Sequence, residues 1–378
     1  MEQLLVRCAN AIESNDATLA QQILWVLINI APPDGDSKQR LTCAFLRALI
    51  VRVAKSGTCK MLAAMSNARC NLSMTIHTHT FSIIELANYV DLTSWHRFGF
   101  TAANAAILEA VKGYSVVHIV DISSTHCMQI PRLIDTIANR LEGPPMVNLT
   151  VPGDSKQLPA MVDLTYEELG SKLVNFAWSR NVMLEFRVFP SAHADGFASL
   201  IDQLRLLHLV YAETGEALDL DINCHMMLHY IPEETLSPLP NANSIPYTFQ
   251  LSSNQSMFLK ALRGLNPTMV VLVDEDPSSA TEDADLTSNN VVCRLKSALN
   301  YLWIPYDTVY MFLPKGSKQR QWYEAYISWK IENVVANKGL QRRWVQRMRK
   351  AEFRGVGFRE EGISEVRRIL MNMQLDGD

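Results

Sequence analysis

The sequence predicts an α/β fold: a mostly parallel sheet covered by helices on both faces, with an N-terminal α-helical cap. Three observations carry this expectation. Val116, Val117, Ile119 and Val120 are β-branched and apolar and run into Asp121, the pattern of a strand buried on both faces. From there to Val273, strand-length apolar runs alternate with helix-period segments, which implies crossover connections and a sheet sandwiched between helices. Before residue 113 only helical spacing occurs.

In chain order, Leu4, Leu5, Cys8, Ala9 and Ile12 recur at spacings of three and four, as do Leu19, Ile23, Leu24, Leu27 and Ile30, and each set lines one helical face. Pro32-Pro33-Asp34-Gly35-Asp36 ends the second helix and a third is expected from Lys38 to Ala54. Ser56 to Thr80 is weakly patterned and reads as a helix with long loops. Two helices are expected between Phe81 and Val111, and Lys112-Gly113-Tyr114 turns the chain into the strand that ends at Asp121. A helix over 128–141 is stopped by Gly143-Pro144-Pro145. Strands follow over 146–151, 182–189, 218–223 and 268–273, alternating with helices over 166–180, 198–207 and 257–265. Ser237 to Asn254, rich in Ser, Pro and Asn, reads as a loop. A last helix is expected around Ile363 to Met373.

Composition narrows the function classes. With 378 residues, 48% apolar and 20% charged, the chain has the make-up of a globular protein with a sizeable core. A net charge of −4 argues against nucleic-acid binding by bulk charge, so a DNA contact needs a local positive patch. The seven cysteines are scattered without a C-x-x-C pair and read as reduced thiols, with neither a disulfide framework nor a zinc module. No signal-peptide pattern or membrane-length apolar run occurs, so a soluble intracellular protein is expected.

Asp121 closes the first strand and leads into Ile122-Ser-Ser-Thr-His-Cys-Met-Gln129. Carboxyl ends of strands are where doubly wound proteins place ligands, so Asp121 reads either as a ligand or partner site or as a strand terminus with a helix-capping loop. A Rossmann-like sheet of this kind is similar to that of S-adenosylmethionine-dependent methyltransferases. A dinucleotide or adenosylmethionine site wants glycines after the first strand, and Ser123 to Cys127 has none. No catalytic residues, cofactor or metal ligands are therefore assigned. The alternative is a methyltransferase-like enzyme or small-molecule binder using the crevice around Asp121, His126 and Asn223. His225 and His229 stand four apart but lack a third ligand, and read as core or cap histidines. Cys127 beside His126 reads as packing rather than a nucleophile. The six carboxylates of Asp274 to Asp285 read as a solvated loop, with metal chelation as the alternative. Between Lys338 and Arg368 ten basic residues face four Glu, with Trp344, Met348, Phe353 and Phe358 interleaved. That segment reads as a solvated amphipathic helix or as a contact for DNA or an acidic partner, with Arg342, Arg343, Arg347, Arg349 and Lys350 as the basic patch.

Several ordered motifs resemble one family. Val117-His118-Ile119-Val120-Asp121 is similar to the VHIID signature of the plant GRAS transcriptional regulators, and its continuation to Pro131 resembles the Short-root/Scarecrow-like branch. Trp95 to Ala110, Tyr166 to Ala177, Asn223 to His229, Arg263 to Pro267 and Ile331 to Ala336 resemble further words of that family, over residues 3 to about 358. The resemblance implies a GRAS domain over 1–378: a helical cap over 1–113 with the first leucine-rich region, and an α/β core over 114–378. The core would hold a second leucine-rich region at about 160–190, a PFYRE-like region at about 220–315 and the start of a SAW region at about 318–378, C-terminally incomplete. It further implies a non-enzymatic regulator of transcription in the nucleus, the cytoplasm remaining open. The implied partners are other GRAS proteins, as homo- or heterodimers, and DNA-binding transcription factors such as zinc-finger proteins. Promoter DNA is an open further contact, and no membrane is involved. Leu4, Leu5, Cys8 and Ile12 form the candidate partner-binding stripe.

Overall fold

The structure, a computed structural model, describes residues 1–55, 80–153, 161–214, 219–231, 235–238, 249–252, 254–274, 291–336, 344–358, 360, 362–364 and 367. The chain forms two compact units, one of Met1–His79 and Asp276–Arg343, the other of Thr80–Glu275 and Trp344–Asp378. This grouping differs from a cap ending at residue 113, for reasons visible in the packing of each unit.

The first unit is helical. Helices α1 (Glu2–Glu13), α2 (Ala17–Ile30) and α3 (Ser37–Lys55) fall where the apolar spacing places them. Asp16 caps α2 by accepting from the Leu19 amide, and Asp36 and Gln39 exchange bonds at the start of α3, each satisfying amides that a helix start leaves free. Two long helices later in the chain join them, α10 (Val291–Phe312) and α11 (Lys318–Ala336). Helix α11 packs against both α3 and α10, so Trp322, Tyr323, Ile327, Ile331 and Val335 are buried around its circumference. A helix covered on several sides needs no single apolar stripe, and no stripe announces it. Pro305 within α10 further masks that helix in the sequence.

The second unit is built on five parallel strands: β2 (Val116–Ser123), β3 (Met146–Gly153), β5 (Leu184–Pro190), β6 (Asp219–His225) and β9 (Met269–Val273). Their spatial order is β5-β3-β2-β6-β9, the doubly wound order in which the direction of winding reverses between β2 and β6. One face packs on α5 (Ser94–Ala110), α6 (Ile130–Ala138) and α7 (Tyr166–Ser179), through Val117, Ile119, Val147 and Leu149. The other packs on α8 (Ala198–Thr214), α9 (Asn254–Gly264) and α12 (Trp344–Lys350), through Val120, Ile122, Leu220 and Ile222. Ser82–Glu85 and Thr165–Glu168 form capping boxes that start α4 (Ile83–Leu92) and α7. Helix α5 belongs to this unit because Gly99 lets it lie directly on the sheet: a Cβ there would stand 2.8 Å from both His225 Cε1 and Val273 Cγ1.

Short strands add to the expected set. Thr80–Phe81 (β1) pairs with Met161–Val162 (β4), and Thr235–Pro238 (β7) pairs antiparallel with Phe249–Ser252 (β8). The segment read as a loop over 237–254 therefore holds strand residues at both ends, because Leu236 and Leu251 pair in a register that the Ser, Pro and Asn content hides. Residues 56–79, including Cys59 and Cys70, and most of 363–373 lie outside the described residues.

Candidate functional site

The VHIID-like segment forms the middle of the sheet. Val117, Ile119 and Val120 are wholly buried, and so is His118, whose Nε2 lies 2.9 Å from Thr150 Oγ1 on β3. Burial, then the charges of His208 and Arg187, lowers the His118 pKa to about 3, so this ring is neutral. All five motif residues thus build the sheet, which runs on past the expected end at Asp121 to Ser123, paired with His225, and Asp121 stands two residues before that end.

Asp121 is fully buried. Its Oδ1 accepts from Asn223 Nδ2 at 2.6 Å and its Oδ2 from Ser123 Oγ at 2.7 Å. Burial raises its pKa, while the bonds from Ser123, Asn223 and the Cys127 thiol pull it down. The carboxyl ties β2 to β6 where the winding reverses, and the Ser124 amide continues that tie by donating to the His225 carbonyl. Helix capping by the loop does not occur: the cap residue of α6 is Gln129, without a side-chain cap bond. The loop instead closes through backbone turns, Met128 to Thr125 and Ile130 to Cys127, and Asn104 of α5 donates to the Gln129 carbonyl.

A cleft of about 310 Å³ opens above these residues. Asp121, Ser123, Ser124 and His126 give it one polar stretch and Thr165 and Tyr166 a second, and Val151, Leu164 and Phe197 are among its apolar walls. His126 (φ 50°), Cys127 (φ 59°) and Phe197 (φ 57°) are held in the left-handed region that bulky residues rarely adopt. The chemistry on offer is weak. Burial, then the Asp121 charge, pushes the Cys127 thiol well up, and burial lowers His126, so neither thiolate nor imidazolium is favoured.

The remaining candidates are distributed. His225 is the last residue of β6, buried, with Nε2 3.0 Å from His96 Nδ1 of α5; burial outweighs the attraction of Asp274 and lowers it to about 4. His229 sits in a short 3-10 turn, where Asp274 accepts from both its backbone amide (3.1 Å) and its Nδ1 (2.7 Å). The two histidines do not share a helical face, and Asp274 is a buried partner rather than part of a solvated acidic loop; 275–285 lie outside the described residues. Leu5 and Cys8 are buried and Leu4 and Ile12 half-buried. The exposed apolar residues of the front helices are on α2: Leu19, Trp25, Val26 and Ile30, with Trp25 at 68%. Arg347 is buried against the Trp344 ring, while Arg349 and Lys350 are exposed; Arg342 and Arg343 lie outside the described residues. Sequence reading missed Phe197 and Met227 in the cleft, since nothing local marks residues that meet only in the fold. Among the described residues no cluster fit to hold a metal ion occurs, and no helix is long and apolar enough to cross a membrane.

A doubly wound parallel sheet whose first strand carries a tied carboxyl near its end and runs into a glycine-free loop is a Rossmann-like fold without the usual cofactor cradle. The chain belongs to the GRAS domain family, whose model matches residues 1–377. It is 54% identical to Scarecrow-like protein 32 of Arabidopsis thaliana, over 98% of this chain and 85% of that protein. It is 27% identical to protein SHORT-ROOT of Arabidopsis thaliana, over 98% of this chain and 66% of that protein. The crystal structure of SCL7 in Oryza sativa shares the fold at a TM-score of 0.66 and 20% identity, covering 98% of this chain and 90% of that one.

Proposed function

We propose that this chain is a non-enzymatic regulator of transcription that works in the nucleus by binding other GRAS proteins and DNA-binding transcription factors such as zinc-finger proteins. Membership of the GRAS family carries the reading. Two features of the molecule agree with it. The loop after β2 has Cβ atoms where a cofactor would need glycines, and its Asp121, His126 and Cys127 are tied or neutral rather than poised for catalysis. The exposed α2 residues Leu19, Trp25, Val26 and Ile30 offer apolar surface, including a tryptophan, of the kind that anchors protein partners. Arg349 and Lys350 supply an exposed positive pair for promoter phosphate, an addition to partner-delivered DNA binding rather than a substitute for it.

The test combines co-precipitation with a second GRAS protein and a zinc-finger factor with a nuclear reporter assay in plant cells. Capture of at least one partner together with a change in reporter output supports the reading. Neither capture nor reporter change, from protein shown to be folded and nuclear, overturns it.

A further inference from the structure

We propose that the cleft above the carboxyl ends of β2 and β3 binds a small uncharged molecule, largely hydrocarbon, that carries a hydroxyl. The position is the ligand-binding edge of a doubly wound sheet, beside the reversal of winding between β2 and β6. Its volume of about 310 Å³ is at the lower end of small-molecule pockets, roughly 300–1,000 Å³, and suits a compact molecule rather than a dinucleotide.

The lining sets the chemical class. Among the described residues that line the cleft there is no lysine or arginine, so a carboxylate or phosphate would meet no counterion from them. Among the described lining residues a cation meets a single carboxylate, Asp121, which is fully buried and already engaged by Asn223 and Ser123. Apolar contact comes from Val162, Leu164, Leu169 and Met227, whereas hydroxyl and imidazole groups come from Ser123, Ser124 and His126 after β2 and from Thr165 and Tyr166 at the start of α7. That mixture favours a molecule with a hydroxyl on a hydrocarbon frame. The backbone supports a cavity kept for use: His126, Cys127 and Phe197 all line it, and all three are non-glycine residues at positive φ. Such conformations cluster at ligand sites, although Asn15, Asn181, Met226, Asn266 and Glu352 adopt them outside the cleft lining.

Titration calorimetry and ligand-observed NMR on the full chain test this, with 2-naphthylmethanol as probe and 2-naphthoate as its anionic counterpart. The alcohol is expected to saturate with a dissociation constant of about 1 mM or below, and naphthoate to bind at least about tenfold more weakly. Leu164→Trp, at a half-buried position of the wall, narrows the cleft and is expected to weaken the alcohol about tenfold or more. Ser124→Phe repeats the occlusion should the first variant not fold. A response that never saturates means a water-filled cavity and overturns the proposal. Equal or tighter binding of naphthoate overturns it too, as does unchanged binding in a folded occluded variant.

Discussion

Arg40 of α3 donates to Glu324 of α11 at 2.8 Å, with 8% and 15% of the two side chains exposed. Arg320 reaches the same Oε1 at 2.9 Å, and both guanidiniums lie over the Tyr310 ring. One carboxylate thus holds two nearly buried cations. Removing it leaves both uncompensated, which typically costs about 3–5 kcal/mol, whereas an exposed pair is worth under about 1 kcal/mol. Glu324→Ala is therefore expected to lower the melting temperature sharply, and Arg205→Ala, which removes the exposed bridge to Asp202, hardly at all. Equal small losses in urea titrations would contradict this account.

Asp221 faces α5 from the middle of β6, buried, with Asp219 two residues away on the same face. Burial, then the Asp219 charge, holds its pKa far above the ordinary carboxylate range. The folded state therefore keeps a proton that the unfolded state loses above about pH 3.9, and stability falls as pH rises from there. Asp221→Asn is expected to stabilise the protein at pH 7 to 8 and to lose that advantage toward pH 4. Chemical denaturation at both pH values measures it, and an unchanged midpoint at pH 8 would sink the idea.

The contact of Gly99 with His225 and Val273 leaves no space for a side chain. The His225 ring is already set against His96 and Phe100, so it cannot swing aside freely. Gly99→Val is expected to cost about 1–3 kcal/mol by overpacking. Gly264→Val, where nothing stands within 4 Å of the added Cβ, should cost only the helix-end propensity difference.

S-adenosylmethionine is expected not to bind. Saturable calorimetric binding at low micromolar concentration, about −8 kcal/mol, would require a formed cofactor pocket and would refute the non-enzymatic reading.

Partner association should be sensitive to Trp25 and not selectively to Leu5. Trp25→Ala is expected to weaken capture of a GRAS partner by about 2 kcal/mol or more, roughly thirtyfold, with the fold retained. Leu5→Asp places a charge in the first unit's core and should unfold it, so its loss of binding would track its circular dichroism.

Legibility in the sequence followed burial geometry. The run Val116 to Val120 is apolar on both sides because β2 is covered on both sides, and helices α1, α2 and α7 show their stripes because each buries one face. Helix α11, buried around its circumference, shows none. Asp121 was legible as a carboxyl near the strand end, and its bond to Asn223 was within reach of the same reasoning. Asp274 was not, since its partner His229 is 45 residues away and the acidic neighbours after it suggested solvent. Phe197 and Met227 reach the cleft only through turns whose dihedrals no residue pattern announces.

The first unit is assembled from two stretches of chain separated by residues 80–275. On a ribosome that adds roughly 5–20 residues per second, the front helices emerge about 10–40 s before α10 and α11 exist. For that interval Phe45, Leu49 and their neighbours on α3 have no α11 to pack against. Through that delay the apolar face of α3 is the kind of surface that aggregates, a hazard set by the order of the chain rather than by its final stability.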